Sequence, residues 1–305
     1  MPDGLLSMLK PPGMTSHDVV DAVRRILRTR RVGHAGTLDP AAAGVMVVML
    51  GAVTRLSEYL TGCDKVYRAE VTFGITTDTL DGEGTVIARA SAADITPEMV
   101  QDALATLTGP VEMVPPMYSA IWHEGRRLYD IAREGGTVEV PSRSVTVHRF
   151  ELLDFQTGEV ASALTEVECS SGTYVRSLAA MLGEALGCPA YLSFLVRTRV
   201  GSLSIQDALT AQELIQAVRD DRLADVLVCP TAALSEWHRI EADQQTAIAL
   251  CRGLQTPAPT ELHDGQRLLV LTSGRLLCVA EVVNAAGEAR IQPRRVLMSE
   301  EELST

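Results

Sequence analysis

No apolar run in this 305-residue chain is long enough to cross a bilayer: the longest, around Gly44 to Val53, falls well short of the roughly 20 residues required. The first dozen residues also lack a basic start followed by a sustained apolar stretch, so a soluble, cytoplasmic protein is expected. Paired cysteine spacing is missing as well. Cys63, Cys169, Cys188, Cys229, Cys251 and Cys278 are scattered, and the histidines are equally dispersed, which excludes zinc-finger spacing and a two-histidine helix motif. No metal is expected, and the thiols read as reduced and mostly buried. Low-complexity sequence is nearly absent, and 46% apolar content supplies one large core plus a smaller domain. Positive charge is in short supply, with 27 Lys and Arg against 39 Asp and Glu and a net charge of -12. That balance argues against gripping phosphate by total charge, so distribution decides. Arg24, Arg25, Arg28, Arg30 and Arg31 form a dense group. Arg24 and Arg28 stand four apart, as on a solvated helix face, whereas Arg30 and Arg31 read as phosphate contacts. Arg126, Arg127, Arg133, Arg143, Arg149, Arg197 and Arg199 recur further on.

What is present is concentrated in Gly33-His34-Ala35-Gly36-Thr37-Leu38-Asp39-Pro40-Ala41-Ala42-Ala43, followed by the apolar Gly44 to Leu50. Gly33 and Gly36 permit backbone angles closed to other residues, and Pro40 pushes Asp39 away from helical angles. A single carboxylate is thereby presented on a stiff loop between packed elements. The same residues also suit a plain turn, or an N-cap for a helix from Ala41. A phosphate cradle is the weaker reading, because no Gly-Lys-Ser/Thr follows and the loop carries an acid where a base is needed.

Along the chain, Ser16 caps an amphipathic helix to Leu27 with Val19, Val20, Val23 and Ile26 on one face. Val66 to Ile75 and Thr85 to Ala90 read as strands in a hairpin-like pair around an Asp- and Gly-rich loop, Thr77 to Gly84. Thr96-Pro97-Glu98 opens a helix to about Leu107. Residues 115–141 mix aromatics, arginines and glycines as an irregular, exposed and partly mobile insertion. Val145 to Leu153 and Ala163 to Glu168 read as core strands, Tyr174 to Leu186 and Asp207 to Arg219 as helices. After Pro230, Arg267 to Leu271, Leu276 to Ala280 and Arg290-Ile291 are short β runs between Gly265, Gly274 and Gly287, as in a small barrel.

The Gly33 to Gly44 block stands with Lys10-Pro11-Pro12-Gly13, Lys65-Val66-Tyr67-Arg68-Ala69-Glu70, Pro116-Met117-Tyr118-Ser119-Ala120, Arg127-Leu128-Tyr129, Ser171-Gly172-Thr173-Tyr174-Val175-Arg176 and Tyr191 to Thr198. In this order, over nearly the whole chain, these blocks resemble the TruB family of tRNA pseudouridine-55 synthases. One departure is Leu9, where the family has Asp before Lys-Pro. The resemblance implies an α+β pseudouridine synthase fold, a mixed and largely antiparallel sheet flanked by helices, over residues 1–235. It further implies an RNA-gripping insertion at about 115–141 and a small PUA-like RNA-binding β-barrel at 236–305. The implied substrate is the T-arm stem-loop of tRNA, with no cofactor, no membrane and no obligatory protein partner. The rival reading is a non-catalytic tRNA-binding or folding module with the same fold; intact Asp39, Tyr67 and Arg176 count against it.

Pseudouridine formation breaks the bond from uracil N1 to the ribose, turns the base and rejoins it through C5, without redox change. It needs an ionised group beside the nucleotide and a pocket that excludes water. Asp39 is assigned as that group, adding to the nucleotide or abstracting a ribose proton. Among small apolar residues its pKa tends upward, and a nearby cation is expected to prevent this. By resemblance that cation is Arg176, able to offer a carboxylate two parallel hydrogen bonds. Tyr67 is implied to stack on the flipped uracil, an ordinary phenol being a weak base at neutral pH. The resemblance further implies that Leu195 packs the other face of the base, Tyr174 supports the pocket, Asp81 lies near the site and His34 stacks where the extruded nucleotide was; read from the residues alone, Leu195 is a core leucine, Asp81 a turn former and His34 a histidine hydrogen-bonded inside its turn.

Overall fold

The computed structural model describes residues 3–119, 121–285 and 287–303, so Ala120 of the Pro116 block lies outside the described residues. The strand Lys65–Phe73 alternates, placing Tyr67, Ala69, Val71 and Phe73 on one face, all buried in the largest core. It occupies the middle of a mixed sheet. Spatially the order runs Gly4–Lys10, Ala43–Leu50, Ala190–Val200, Lys65–Phe73, Ala161–Cys169, Arg143–Gln156 and Gly109–Met113. Neighbours along this path are antiparallel except Ala190–Val200, which meets Ala43–Leu50 in a short parallel contact. The helices Pro97–Thr106 and Val175–Ala185 cover one face through Val100, Leu104, Leu178 and Leu182, while Ser16–Leu27 covers the Gly4–Lys10 end through Val19, Val20 and Val23.

The parallel contact depends on one glycine. Gly44 has φ +115°, and a Cβ there would lie 2.1 Å from the backbone oxygen of Arg197. Gly44→Ala is expected to cost on the order of 3 kcal/mol, combining backbone strain with a clash no rotamer relieves. Urea unfolding should show a lower midpoint with an unchanged slope.

Several expectations shift for local reasons. Thr15, not Ser16, caps the first helix, in a reciprocal box with Asp18, and the Ser16 hydroxyl turns to Leu38 instead. Gly74, at φ +93°, ends the central strand, and the hairpin is built from Ile75–Thr77 and Val86–Arg89. Thr210 and Glu213 form a second capping box, so that helix begins at Ala211 rather than Asp207. The insertion carries regular structure: Trp122–His123 pairs with Arg126–Arg127, and the short helix Leu128–Arg133 follows.

The C-terminal strands His238–Glu241, Arg267–Thr272, Arg275–Ala285, Glu288–Val296 and Thr256–Pro257 make a five-stranded half-barrel rather than a closed one, as in a PUA-like module. A helix that sequence reading did not mark, Gln244–Cys251, starts at Asp243, whose carboxylate caps Thr246 N. Leu269, Leu276 and Val279 of the half-barrel share a core with Leu5 and Val47 of the main sheet and with Leu56 and Leu60 of the helical turns that follow it. The junction is fixed further by Arg295–Glu58 at 2.7 Å and by the edge-on rings of Tyr59 and Trp237, 5.4 Å apart. Among the described residues no helix is long and apolar enough to cross a membrane.

Candidate active site

The Asp39 turn joins Val32–Ala35 to Ala43–Leu50, and each of five successive carbonyls in it has a partner. Arg197 takes those of Gly36 and Thr37, and Ser16 that of Leu38; Ala42 N donates to the Asp39 carbonyl. Lys10 Nζ and Gly13 N both donate to the Pro40 carbonyl. No helix starts after Ala41, so the N-cap reading falls away. A backbone with its acceptors satisfied in this way stays in one conformation, which is what a positioned carboxylate requires.

Lys10 is wholly buried, and its Nζ also donates to the carbonyls of Met14 at 2.6 Å and Pro11 at 3.0 Å. Burial lowers its pKa, and the nearby Asp39 charge opposes that. Lys10→Met keeps the stem but removes every donor, and is expected to destabilise by on the order of 3 kcal/mol and to slow turnover by loosening the Asp39 turn. Thermal unfolding and a turnover assay on the same preparation check both.

Arg176, in the first turn of Val175–Ala185, is 4% exposed, too buried to serve as a surface ion pair. Its Nε meets Asp39 Oδ2 at 3.0 Å, one terminal nitrogen meets Asp81 Oδ2 at 3.5 Å and donates to the Thr79 carbonyl, and the other donates to the Tyr118 carbonyl at 2.8 Å. This corrects the expected pair of parallel bonds. The guanidinium is shared by two carboxylates, and Asp39 receives one of its nitrogens. Asp81 belongs to both of its readings, since it also accepts from Thr79 Oγ1 at 2.6 Å and Glu83 N at 3.1 Å within its loop.

Burial pushes the Asp39 carboxyl above the ordinary carboxylate range, Asp81 adds to this, and Arg176 opposes it without cancelling it. The side chain is 41% exposed because it faces an open cleft, yet protein surrounds it closely enough to strip much of its water. The expectation that a neighbouring cation would prevent an upward shift is therefore corrected: desolvation wins.

The cleft in front of Asp39 has a volume of about 300 Å³, and Tyr67, Tyr174, Arg176 and Leu195 all line it. A second cavity of about 240 Å³ shares Asp39, Arg176 and Leu195 with it and adds Asp81. Burial raises the Tyr67 hydroxyl pKa, making it a still poorer base. His34 is the site candidate that the structure leaves out of both cavities. It sits on Val32–Ala35 with its Nδ1 buried and unpartnered among the described residues, and burial lowers its pKa. Lys10, Lys65 and Arg197 carry no assigned role in the sequence, yet all three are buried here, and Lys65 and Arg197 line the cleft. For Lys65 the signal was present, because it lies two residues before Tyr67 on the same face of one strand. Burial brings its pKa down to about 8. Among the described residues no cluster of three or more His, Cys, Asp or Glu side chains could hold a metal ion.

Comparison with known proteins places the chain in one lineage. A family model for the N-terminal domain of TruB family pseudouridylate synthases matches residues 24–175, and one for the C-terminal domain of tRNA pseudouridylate synthase B matches residues 176–235. A protein of Symbiobacterium thermophilum named tRNA pseudouridine synthase B is 49% identical over 252 residues, 83% of this chain and 82% of its own length. One of the same name from Moorella thermoacetica is 43% identical over 96% of this chain and 99% of its own length. A chain in the solved structure of a Cbf5-Nop10-Gar1 complex superposes with a TM-score of 0.78 at 22% identity, covering 98% of this chain and 86% of that one. Another, in a Nop10-Cbf5 complex of an archaeal box H/ACA particle, gives 0.74 at 21% identity over 98% and 88%. The fold is that of pseudouridine synthases, and the chain belongs to the TruB family.

Proposed function

We propose that this chain isomerises uridine to pseudouridine in tRNA, at position 55 of the T loop, with Asp39 as the group that acts on the target nucleotide. The observation that carries this reading is a desolvated carboxylate on a rigid turn, held by a buried guanidinium at 3.0 Å, facing a cleft with an aromatic wall. Arg176 occupies one carboxylate oxygen and leaves the other for the nucleotide. It also opposes the rise in the Asp39 pKa that burial imposes.

A base stacked in a tRNA loop cannot enter a cleft of this size with its neighbours, so the target nucleotide is extruded. Tyr67 and Leu195 then sandwich the uracil, which lets it turn within its own plane once the glycosidic bond is broken. Asp39 starts that cleavage, either by adding to the nucleotide or by taking a ribose proton; C5 then bonds to the ribose C1′ as Asp39 is released or returns its proton, and loss of the C5 proton with gain of one at N1 completes the isomerisation. Tyr174 closes the side of the pocket. His34, kept neutral on the strand that leads into the Asp39 turn, packs against the RNA where the extruded base was. No cofactor takes part in this scheme.

Residues 1–235 carry the chemistry and residues 236–305 add a second RNA contact, so the enzyme grips the T arm without a protein partner and works where tRNA is, in the cytoplasm. A non-catalytic module has no observation in its favour. The test is tritium release from an unmodified tRNA transcript labelled at uridine C5. One equivalent per transcript is expected, with none when the T-loop target is cytidine. Tight binding without release would overturn the catalytic reading.

A further inference from the structure

We infer that Trp122 is a nucleobase-stacking platform at the rim of the active-site cleft, holding a second, unpaired base of the RNA while the target uridine is inside. The inference rests on the proposed action on tRNA. Trp122 is 61% exposed in a chain with only two tryptophans, and the other, Trp237, packs on Tyr59 at the domain junction. An indole this exposed leaves much of a large flat apolar surface in water, a surface suited to a ligand with a flat face of its own.

Its placement is built rather than incidental. Trp122 pairs across a two-residue turn with Arg127, and the turn residues Glu124 and Gly125 both have positive φ, as a tight hairpin turn requires. That pairing sets the Arg127 guanidinium 4.2 Å from the centre of the indole ring. One face of the ring is thereby covered by a cation, which orients the indole and leaves its other face for a base to stack on. Position is equally telling. Ile121, the preceding residue, lines the Asp39 cleft, and the small hollow beside Trp122 reaches Arg143, whose guanidinium lies 5.5 Å from the Tyr174 ring in that cleft. Cation and aromatic pairs thus run from the insertion to the site. Stacking of this kind tolerates any base, so the platform adds grip and register without a sequence rule.

Indole emission gives a direct test, because stacking on a base quenches it. A T-arm stem-loop RNA titrated into the natural chain should quench emission, and the quench should shrink sharply in Trp122→Phe, where Trp237 alone emits. Trp122→Ala should weaken RNA binding about tenfold, with the loss concentrated in KM rather than kcat and partly restored by Trp122→Phe. Equal quenching in the natural chain and Trp122→Phe, or an unchanged KM in Trp122→Ala while tritium release continues, overturns the platform and leaves the isomerase reading standing. Absence of both binding and release overturns the two together.

Discussion

Asp39→Asn is expected to lower single-turnover tritium release by at least about a thousandfold while changing the affinity for T-arm RNA only a few-fold. The amide preserves the shape of the turn, whose carbonyls are held by Arg197, Ser16 and Lys10 and not by the Asp39 side chain, but it can neither add to the nucleotide nor accept a ribose proton. Stability should move the other way. Burial raises the folded-state pKa of Asp39 above its unfolded value, so the stability linked to its protonation is present below the unfolded pKa and lost as pH rises through the folded one. At neutral pH the ionised side chain is a cost to the fold. The Asn variant should therefore melt no lower than the natural protein at pH 7, and a clear fall in Tm would mean that Asp39 is chiefly structural.

Arg176→Gln is expected to do damage of both kinds. Two carboxylates lose their shared cation, and the carbonyls of Thr79 and Tyr118 lose a donor in a buried place. Breaking a buried ion pair by removing one partner costs about 3–5 kcal/mol, and the low end applies because Asp39 faces the cleft. Turnover should fall by at least about a hundredfold. Lysine should not rescue it, since one ammonium cannot meet acceptors spread around a planar fork. The residual activity carries the sharper test. Arg176 is the main influence holding the Asp39 pKa down, so without it the acidic fall-off in rate should move to higher pH. A fall-off at unchanged pH would separate Arg176 from Asp39.

The Asp39 turn was legible because its glycines, its proline and its lone acid each have a backbone meaning. The C-terminal strands were legible because glycines bracket short β-branched and aliphatic runs. What holds the turn was not. Lys and Arg are ordinarily solvated, and nothing local says that Lys10 and Arg197 would be buried with their charges spent on carbonyls. Thr15 and Ser16 are both good caps, and only the tertiary contact with Leu38 decides which one turns inward. The geometry at Arg176 escaped for the same reason, because its second carboxylate comes from a loop 95 residues upstream. The upward shift of Asp39 required knowing that desolvation by the surrounding chain outweighs one shared guanidinium.

The measurement closest to the central claim is the single-turnover rate of tritium release against pH, in the natural chain and in Asp81→Asn. An ionised, desolvated Asp39 predicts a rate that falls toward acid through one ionisation lying above the ordinary carboxylate range. Asp81 raises the Asp39 pKa, so its neutral variant should move that fall-off to lower pH. A rate independent of pH wherever the protein stays folded, or a fall-off that Asp81→Asn leaves in place, would contradict the assignment of the chemistry to Asp39.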